Sequence, residues 1–197
     1  MYKSQAGQDI WVSQILNYNN GVFIDIGANS GIKNNNSFFL ESKKNWTGVC
    51  VEPNLEMIKD LKSVRKCDIA QYALTNHTGT AVFRDKGSDK GRSHLVVSND
   101  SLLENDDLSN SSEELLELRK NYGFGVNTAT PKIHSEYEVN CITPKELFTK
   151  YNIPNIIDYI SLDVEGSAVN VLNCFPFNEF KGRSDLDNEI TLKPSSE

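Results

Sequence analysis

Val22-Phe23-Ile24-Asp25-Ile26-Gly27-Ala28-Asn29-Ser30-Gly31 is the stretch that decides how this chain folds. Its first half is a short, nearly all-apolar run, the pattern of a strand buried on both faces of a parallel sheet. Its second half interrupts the run with two glycines around small polar residues, the pattern of a turn leading into a helix. Upstream, Trp11, Val12, Ile15 and Leu16 recur at helical spacing between Gln8 and Tyr18, and Asn19-Asn20-Gly21 close that helix. Trp11, Trp46 and the Phe38-Phe39 pair read as core residues.

Downstream the same alternation continues. Phe38-Phe39-Leu40 begins a helix that ends before Trp46, and Val49-Cys50-Val51 is a second buried strand stopped by Glu52-Pro53. Leu55, Met57, Ile58 and Leu61 mark a further helix. Ile69 to Leu74 reads as a third strand. Thr80 to Phe83 reads as a fourth, forming a hairpin with it around Asn76-His77-Thr78-Gly79. Tyr137 to Ile142 is a strand, Thr143-Pro144 starts a helix running to about Tyr151, and Ile156 to Val164 is the last clear strand. A helix from Ser167 to Cys174 follows it. Strands alternating with helices imply an α/β fold with a mostly parallel sheet. The segment from about 85 to 131 breaks the pattern: it is rich in Ser, Asn, Asp and Glu, with one helix expected over Ser112 to Tyr122. It reads as a partly mobile surface insertion within a single domain over residues 1–180, followed by a divergent polar tail over 181–197.

Composition narrows the function. The chain has 197 residues, 20 Lys and Arg against 27 Asp and Glu, and a net charge of −7. A nucleic-acid footprint is not expected, because a net anion is repelled by phosphate. No apolar stretch is long enough to span a membrane, and Met1 to Gln8 lacks the apolar run of a signal peptide, so a soluble cytoplasmic protein is expected. Cys50, Cys67, Cys141 and Cys174 have no metal-ligand spacing and read as reduced thiols; His77, His94 and His134 are isolated. No metal site is expected.

In open α/β sheets the ligand sits outside the carboxyl ends of the strands. There the sequence places the Asp25-to-Gly31 loop, Glu52, and Asp163-Val164-Glu165-Gly166. Glu52 lies 21 residues after Gly31, where an acidic side chain can accept from both hydroxyls of a ribose. Dinucleotide sites use G-x-G-x-x-G to bring a pyrophosphate onto a helix N-terminus. The loop here is D-x-G-x-x-x-G, and a carboxylate at Asp25 suits a cationic ligand carrying an ammonium and a sulfonium. S-adenosylmethionine is such a ligand. Gly27 permits close backbone approach and Gly31 lets the next segment start tight against it. Asp163 and Glu165, one residue apart, would share a face of a continuing strand. Either could act as a base on a substrate hydroxyl, bind that hydroxyl, or cap the following helix.

Ser4-Gln5-Ala6-Gly7-Gln8-Asp9, FIDIGANSG over 23–31, Leu40-Glu41, Trp46-Thr47-Gly48, VEP over 51–53 and DYISLDVEG over 158–166 resemble, in order, the motifs of the FkbM-type methyltransferases. The resemblance implies a Rossmann-like three-layer sandwich. It also implies S-adenosylmethionine-dependent methyl transfer to a hydroxyl of a sugar, glycan or related small molecule. Asp25, Gly27, Ala28, Asn29 and Gly31 would line the methionine part, and Glu52, with Pro53 behind it, the ribose. The stretch Asp68 to Ala73 would border the adenine, with either Asp68 or Gln71 reaching its amino group. Gln5, Gln8 and Asp9 would lie near the cofactor mouth. Two departures stand out: Ala168 occupies the second acidic position of the last motif, and only 20 residues follow Phe177, too few for the further strands such a sheet carries. The sheet is therefore expected to be truncated at its C-terminal strands. A second reading is a catalytically impaired protein of this fold, acting as a binding module through an exposed sheet edge.

Overall fold

The computed structural model describes residues 2–85, 93–96, 135–164 and 168–179. β1 (Val22–Ile26) pairs in parallel with β2 (Thr47–Val51), in the register Val22 opposite Thr47 through Ile26 opposite Val51. β2 in turn pairs in parallel with β3 (Asp68–Ala70). On the other side of β1 lies β8 (Tyr159–Leu162), again parallel, with Phe23 opposite Tyr159. The first sheet therefore runs β3-β2-β1-β8, all strands in one direction. A second, mixed sheet contains β4 (Ala73–Leu74), β5 (Gly79–Asp85), β6 (His94–Leu95) and β7 (Ser135–Ile142), in the order β4-β7-β5-β6.

Successive β1 side chains point to opposite faces, and each face has its own apolar cover. Phe23 packs with Cys50, Trp46 and residues of three helices: Val12 of α1 (Gln8–Ile15), Leu40 of α2 (Phe38–Lys44), and Ile58 and Leu61 of α3 (Leu55–Val64). Ile24 and Ile26 pack with Val49, Val51 and Ala70 on the opposite face. Their cover is Leu147 and Phe148 of α4 (Pro144–Lys150) and Val171 of α5 (Ala168–Cys174). The parallel strands are thus apolar on both faces because both faces are covered.

Local chemistry starts the helices where the sequence placed them. Asn54 Oδ1 accepts from the backbone N–H groups of Glu56 and Met57, capping α3 directly after Pro53 ends the strand path. Thr143 and Glu146 form a reciprocal capping box at the start of α4, with Pro144 in its first turn.

Several expectations are corrected. The run Ile69 to Leu74 is not one strand: β3 ends at Ala70, and after Gln71 and Tyr72 the chain enters the second sheet as β4, parallel to β7. The hairpin around Asn76 to Gly79 does not form, because β5 pairs antiparallel with β7 and not with β4. Thr75 N–H bonds to the Ile142 carbonyl at 3.0 Å, so the turn feeds the chain around β7. The last strand is shorter than Ile156 to Val164, since Ile156 is exposed and Asp158 accepts from Val22 N–H and Tyr18 Oη ahead of β8. α1 stops at Ile15, and Trp11 is 63% exposed while its neighbour Val12 is buried. The helix expected over Ser112 to Tyr122, most of the insertion and the tail after Glu179 lie outside the described residues.

All four cysteines are free thiols. Cys50 and Cys67 stand with their sulfurs 3.5 Å apart, and burial pushes the Cys50 thiol well up.

Candidate active site

The four parallel strands end on one side, so the segments after them stand in the spatial order of the sheet. Tyr72 and Ala73 follow β3, Glu52 and Pro53 follow β2, Gly27 to Asn29 follow β1, and Asp163 follows β8. A cleft of about 930 Å³, its open mouth included, runs across these ends. Phe83 and Leu95 of the second sheet contribute to its wall. So does Gln5, carried by a segment that Asp9 holds in place. The buried Asp9 carboxylate accepts from Lys3 N at 2.6 Å, Ser4 N at 3.2 Å and Ser4 Oγ at 2.5 Å.

Gly27 is the tightest point. Its φ is +84°, and a Cβ there would sit 1.9 Å from the Asp163 carbonyl oxygen. The Asp163 N–H donates to the Ile26 carbonyl at 2.9 Å, so the end of β8 is drawn against the loop. The Gly27 N–H bonds Val51 O at 2.9 Å, tying the same loop to β2.

Glu52 is a buried carboxyl group on the cleft. It is 7% exposed, and its two oxygens accept from backbone groups on either side: Oε2 from Asn29 N–H at 2.9 Å and Oε1 from Asn54 N–H at 2.8 Å. These bonds fix its rotamer and link the glycine loop to the start of α3. Burial pushes its carboxyl up to about 7, against the pull of those two N–H groups.

Of the residues singled out in the sequence, Gly27, Asn29, Glu52, Pro53, Ala73 and Asp163 lie together on this cleft. Asp25 does not. Its side chain falls on the α2–α3 face of β1 and is 1% exposed, accepting from Asn35 Nδ2 at 2.8 Å and Ser37 Oγ at 2.6 Å. Burial pushes its carboxyl up, opposed by those bonds and by the nearby Arg65 guanidinium. Ala28 is buried in the same layer, and its carbonyl accepts from Asn35 Nδ2 at 2.9 Å. Gly31 (φ +86°) serves close packing away from the cleft, where a Cβ would meet Leu61 Cδ1 at 2.6 Å. Asp68 and Gln71 are exposed and outside the cleft wall. Glu165 lies outside the described residues.

Arg65, at the end of α3, ties this loop layer together. It donates to Gly31 O, Asn35 Oδ1 and Ser37 Oγ, and pairs with Glu41 at 2.6 Å. Sequence reasoning had missed this residue, along with Tyr72, Phe83 and Leu95 of the cleft wall. Tyr72 had the best available signal, since it adjoins Ala73 in the stretch assigned to a base. Phe83 and Leu95 gave none, because the pairing of β5 with β6 and β7 that brings them to the cleft has no local signal.

No curated protein and no solved structure matches the chain. The family described as the methyltransferase FkbM domain matches residues 25–190, a span holding the glycine loop, Glu52 and Asp163. By that match over most of its length, the chain belongs to the FkbM methyltransferase family.

Proposed function

We propose that the chain is an S-adenosylmethionine-dependent O-methyltransferase of Rossmann-like architecture, with a hydroxyl of a sugar, glycan or related small molecule as acceptor. The observation that carries this reading is Glu52: a buried carboxylate, oriented by two backbone N–H groups, on a cleft crossing the ends of four parallel strands. A carboxylate can accept from both hydroxyls of a ribose and repels a phosphate there. Glu52 and the exposed Asp163 together give the cleft an acidic character that suits a cationic ligand. Family membership supports methyl transfer as the reaction.

When bound, the cofactor supplies a methyl group on a cationic sulfonium. The protein's part is to hold and align. Glu52 would take the ribose, the Gly27–Asn29 backbone would allow close approach beside it, and Ala73 would border the base. Asp163, at the β8 end, would orient the acceptor hydroxyl and receive its proton. Alignment supplies most of the acceleration in such a transfer, and a positioned base adds about 10²–10⁴-fold. Asp25 would serve the donor indirectly, by holding Asn35 and Ser37 under the loop.

Titration with S-adenosylhomocysteine tests the cofactor. Saturable binding with a rise in melting temperature is expected, lost in Glu52→Ala, with no binding of NAD. Absence of binding at millimolar ligand would overturn the reading. With binding established, transfer of a labelled methyl group to a panel of sugars and glycans tests the acceptor class, and Asp163→Asn should slow any transfer found by 10²-fold or more.

A further inference from the structure

Cys50 and Cys67 meet on the α1–α3 face of the first sheet, and neither lines the cleft. The Cys67 thiol donates to Cys50 Sγ at 3.5 Å, and both are free thiols. They differ in access and in freedom. Cys50 is fully buried and held in the β2 ladder opposite Ile69. Cys67 is half-buried and precedes β3, and its N–H is held by Glu41 Oε1 at 2.6 Å instead of by a strand. The other two cysteines lie elsewhere. Cys141 is in the core of the second sheet, and Cys174 donates to the Val171 and Thr75 carbonyls at 3.2 and 3.6 Å. Two charged groups act on the pair: the Arg65 guanidinium on both sulfurs, and the Asp25 carboxyl on Cys50.

We infer that Cys67 and Cys50 are a peroxide-oxidisable dithiol, Cys67 reacting first and Cys50 resolving it, which closes reversibly into a disulfide staple between β2 and the entry to β3. The inference rests on the thiol geometry alone and not on the methyl-transfer reading. Cys67 reacts first because it is the thiol that a small oxidant reaches from solvent. Burial, the contact with Cys67 and the Asp25 carboxyl keep the Cys50 thiol protonated until it is called on. The Cys67 sulfur attacks one oxygen of hydrogen peroxide, and the O–O bond breaks. The other oxygen leaves as water with the Cys67 proton, and Cys67 becomes a sulfenic acid. The Cys50 sulfur then attacks the Cys67 sulfur, and the S–O bond breaks. Hydroxide leaves and takes the Cys50 proton as a second water. Two thiols give up two electrons and the peroxide gains them. The sulfurs must close from 3.5 Å to a bond of about 2.05 Å, and Cys67, outside the ladder, is the one free to move. The ring so closed, residues 50–67, contains Glu52 and the whole of α3.

The test treats the reduced, folded chain with hydrogen peroxide, then counts thiols in denaturant and maps them by mass spectrometry. The four thiols should fall to two, and dithiothreitol should restore all four. Trypsin cuts between the two cysteines, so the oxidised protein should yield peptide 45–59 joined to peptide 67–84, about 2 Da lighter than their sum. Cys67→Ser should lose no thiol pair under the same treatment. In Cys50→Ala, Cys67 should stop at the sulfenic acid and be captured by a cyclic 1,3-dione. The oxidised wild type should melt several degrees above the reduced protein, as a ring of this size predicts. Four thiols surviving peroxide, Cys67 carried on to sulfinic acid with Cys50 still free, or a joined pair that includes Cys141 or Cys174 would each overturn the inference. So would an oxidised protein that melts no higher than the reduced one. The wild-type chain alone decides these outcomes, even if Cys50→Ala fails to fold.

Discussion

Arg65 Nη1 donates to the Gly31 carbonyl at 3.3 Å, so the end of α3 clamps the far end of the glycine loop. The same side chain is fully buried, pairs with Glu41, and lies 5.5 Å from the Phe23 ring centroid. Glu41 also accepts from Cys67 N–H at 2.6 Å, so loop, α2 and the approach to β3 share one charged centre.

Removing one partner of such a pair leaves the other charge buried alone. Arg65→Met should cost about 3–5 kcal/mol of unfolding free energy in urea titration. Arg65→Met with Glu41→Gln should recover part of that loss, because the orphaned carboxylate is then neutral. A cost under about 1 kcal/mol would show that the centre is solvated.

Glu52 gives a pH signature with a definite sign. Its folded-state carboxyl titrates at about 7, above the unfolded value of 4.5. The native state therefore holds a proton that the unfolded chain has lost between those values. This group's contribution to stability is fully present below about pH 4.5 and fades as pH rises through 7, by on the order of 3 kcal/mol at most. Melting temperatures from pH 5 to 8 should show this slope in the wild type and a flatter profile in Glu52→Gln. Affinity for S-adenosylhomocysteine should move the other way, tightening through pH 7 as the carboxylate becomes available to accept.

Gly27→Ala combines a positive φ with a backbone clash at the Asp163 carbonyl, and should lose about 3 kcal/mol or more. Gly7→Ala is the control. Its φ is +82°, but the nearest atom to an added Cβ is Ile10 Cδ1 at 3.9 Å, so only the conformational cost remains, about 1 kcal/mol. Denaturant midpoints of the two variants test the difference.

Thr143→Ala opens the capping box of α4 and should cost about 1 kcal/mol, read as a lower melting temperature. It should leave cofactor affinity unchanged in the folded protein.

The parallel core was readable because its strands are short and apolar throughout, and because Asn54, Thr143 and Pro144 mark helix starts by local chemistry alone. The second sheet was not. Asn76 to Gly79 has the composition of a hairpin turn, and nothing nearby signals that β7 will take both β4 and β5 as neighbours. The cleft was legible where a strand end placed a residue, as at Glu52, Gly27 and Asp163. The surroundings of Asp25 are not legible, because Asn35, Ser37 and Arg65 meet it only in three dimensions. Tyr72, on the cleft wall, belongs to no motif.

The contact between Gly27 and the Asp163 carbonyl also sets a gauge. It joins the loop proposed to hold the donor to the strand end proposed to hold the acceptor's carboxylate, through backbone atoms and without an intervening side chain. Side-chain changes around the cleft can then alter what is bound without altering the spacing between the two halves of the reaction. A family that kept this contact could exchange acceptors while the proposed donor and acceptor positions stay at one separation set by the main chain.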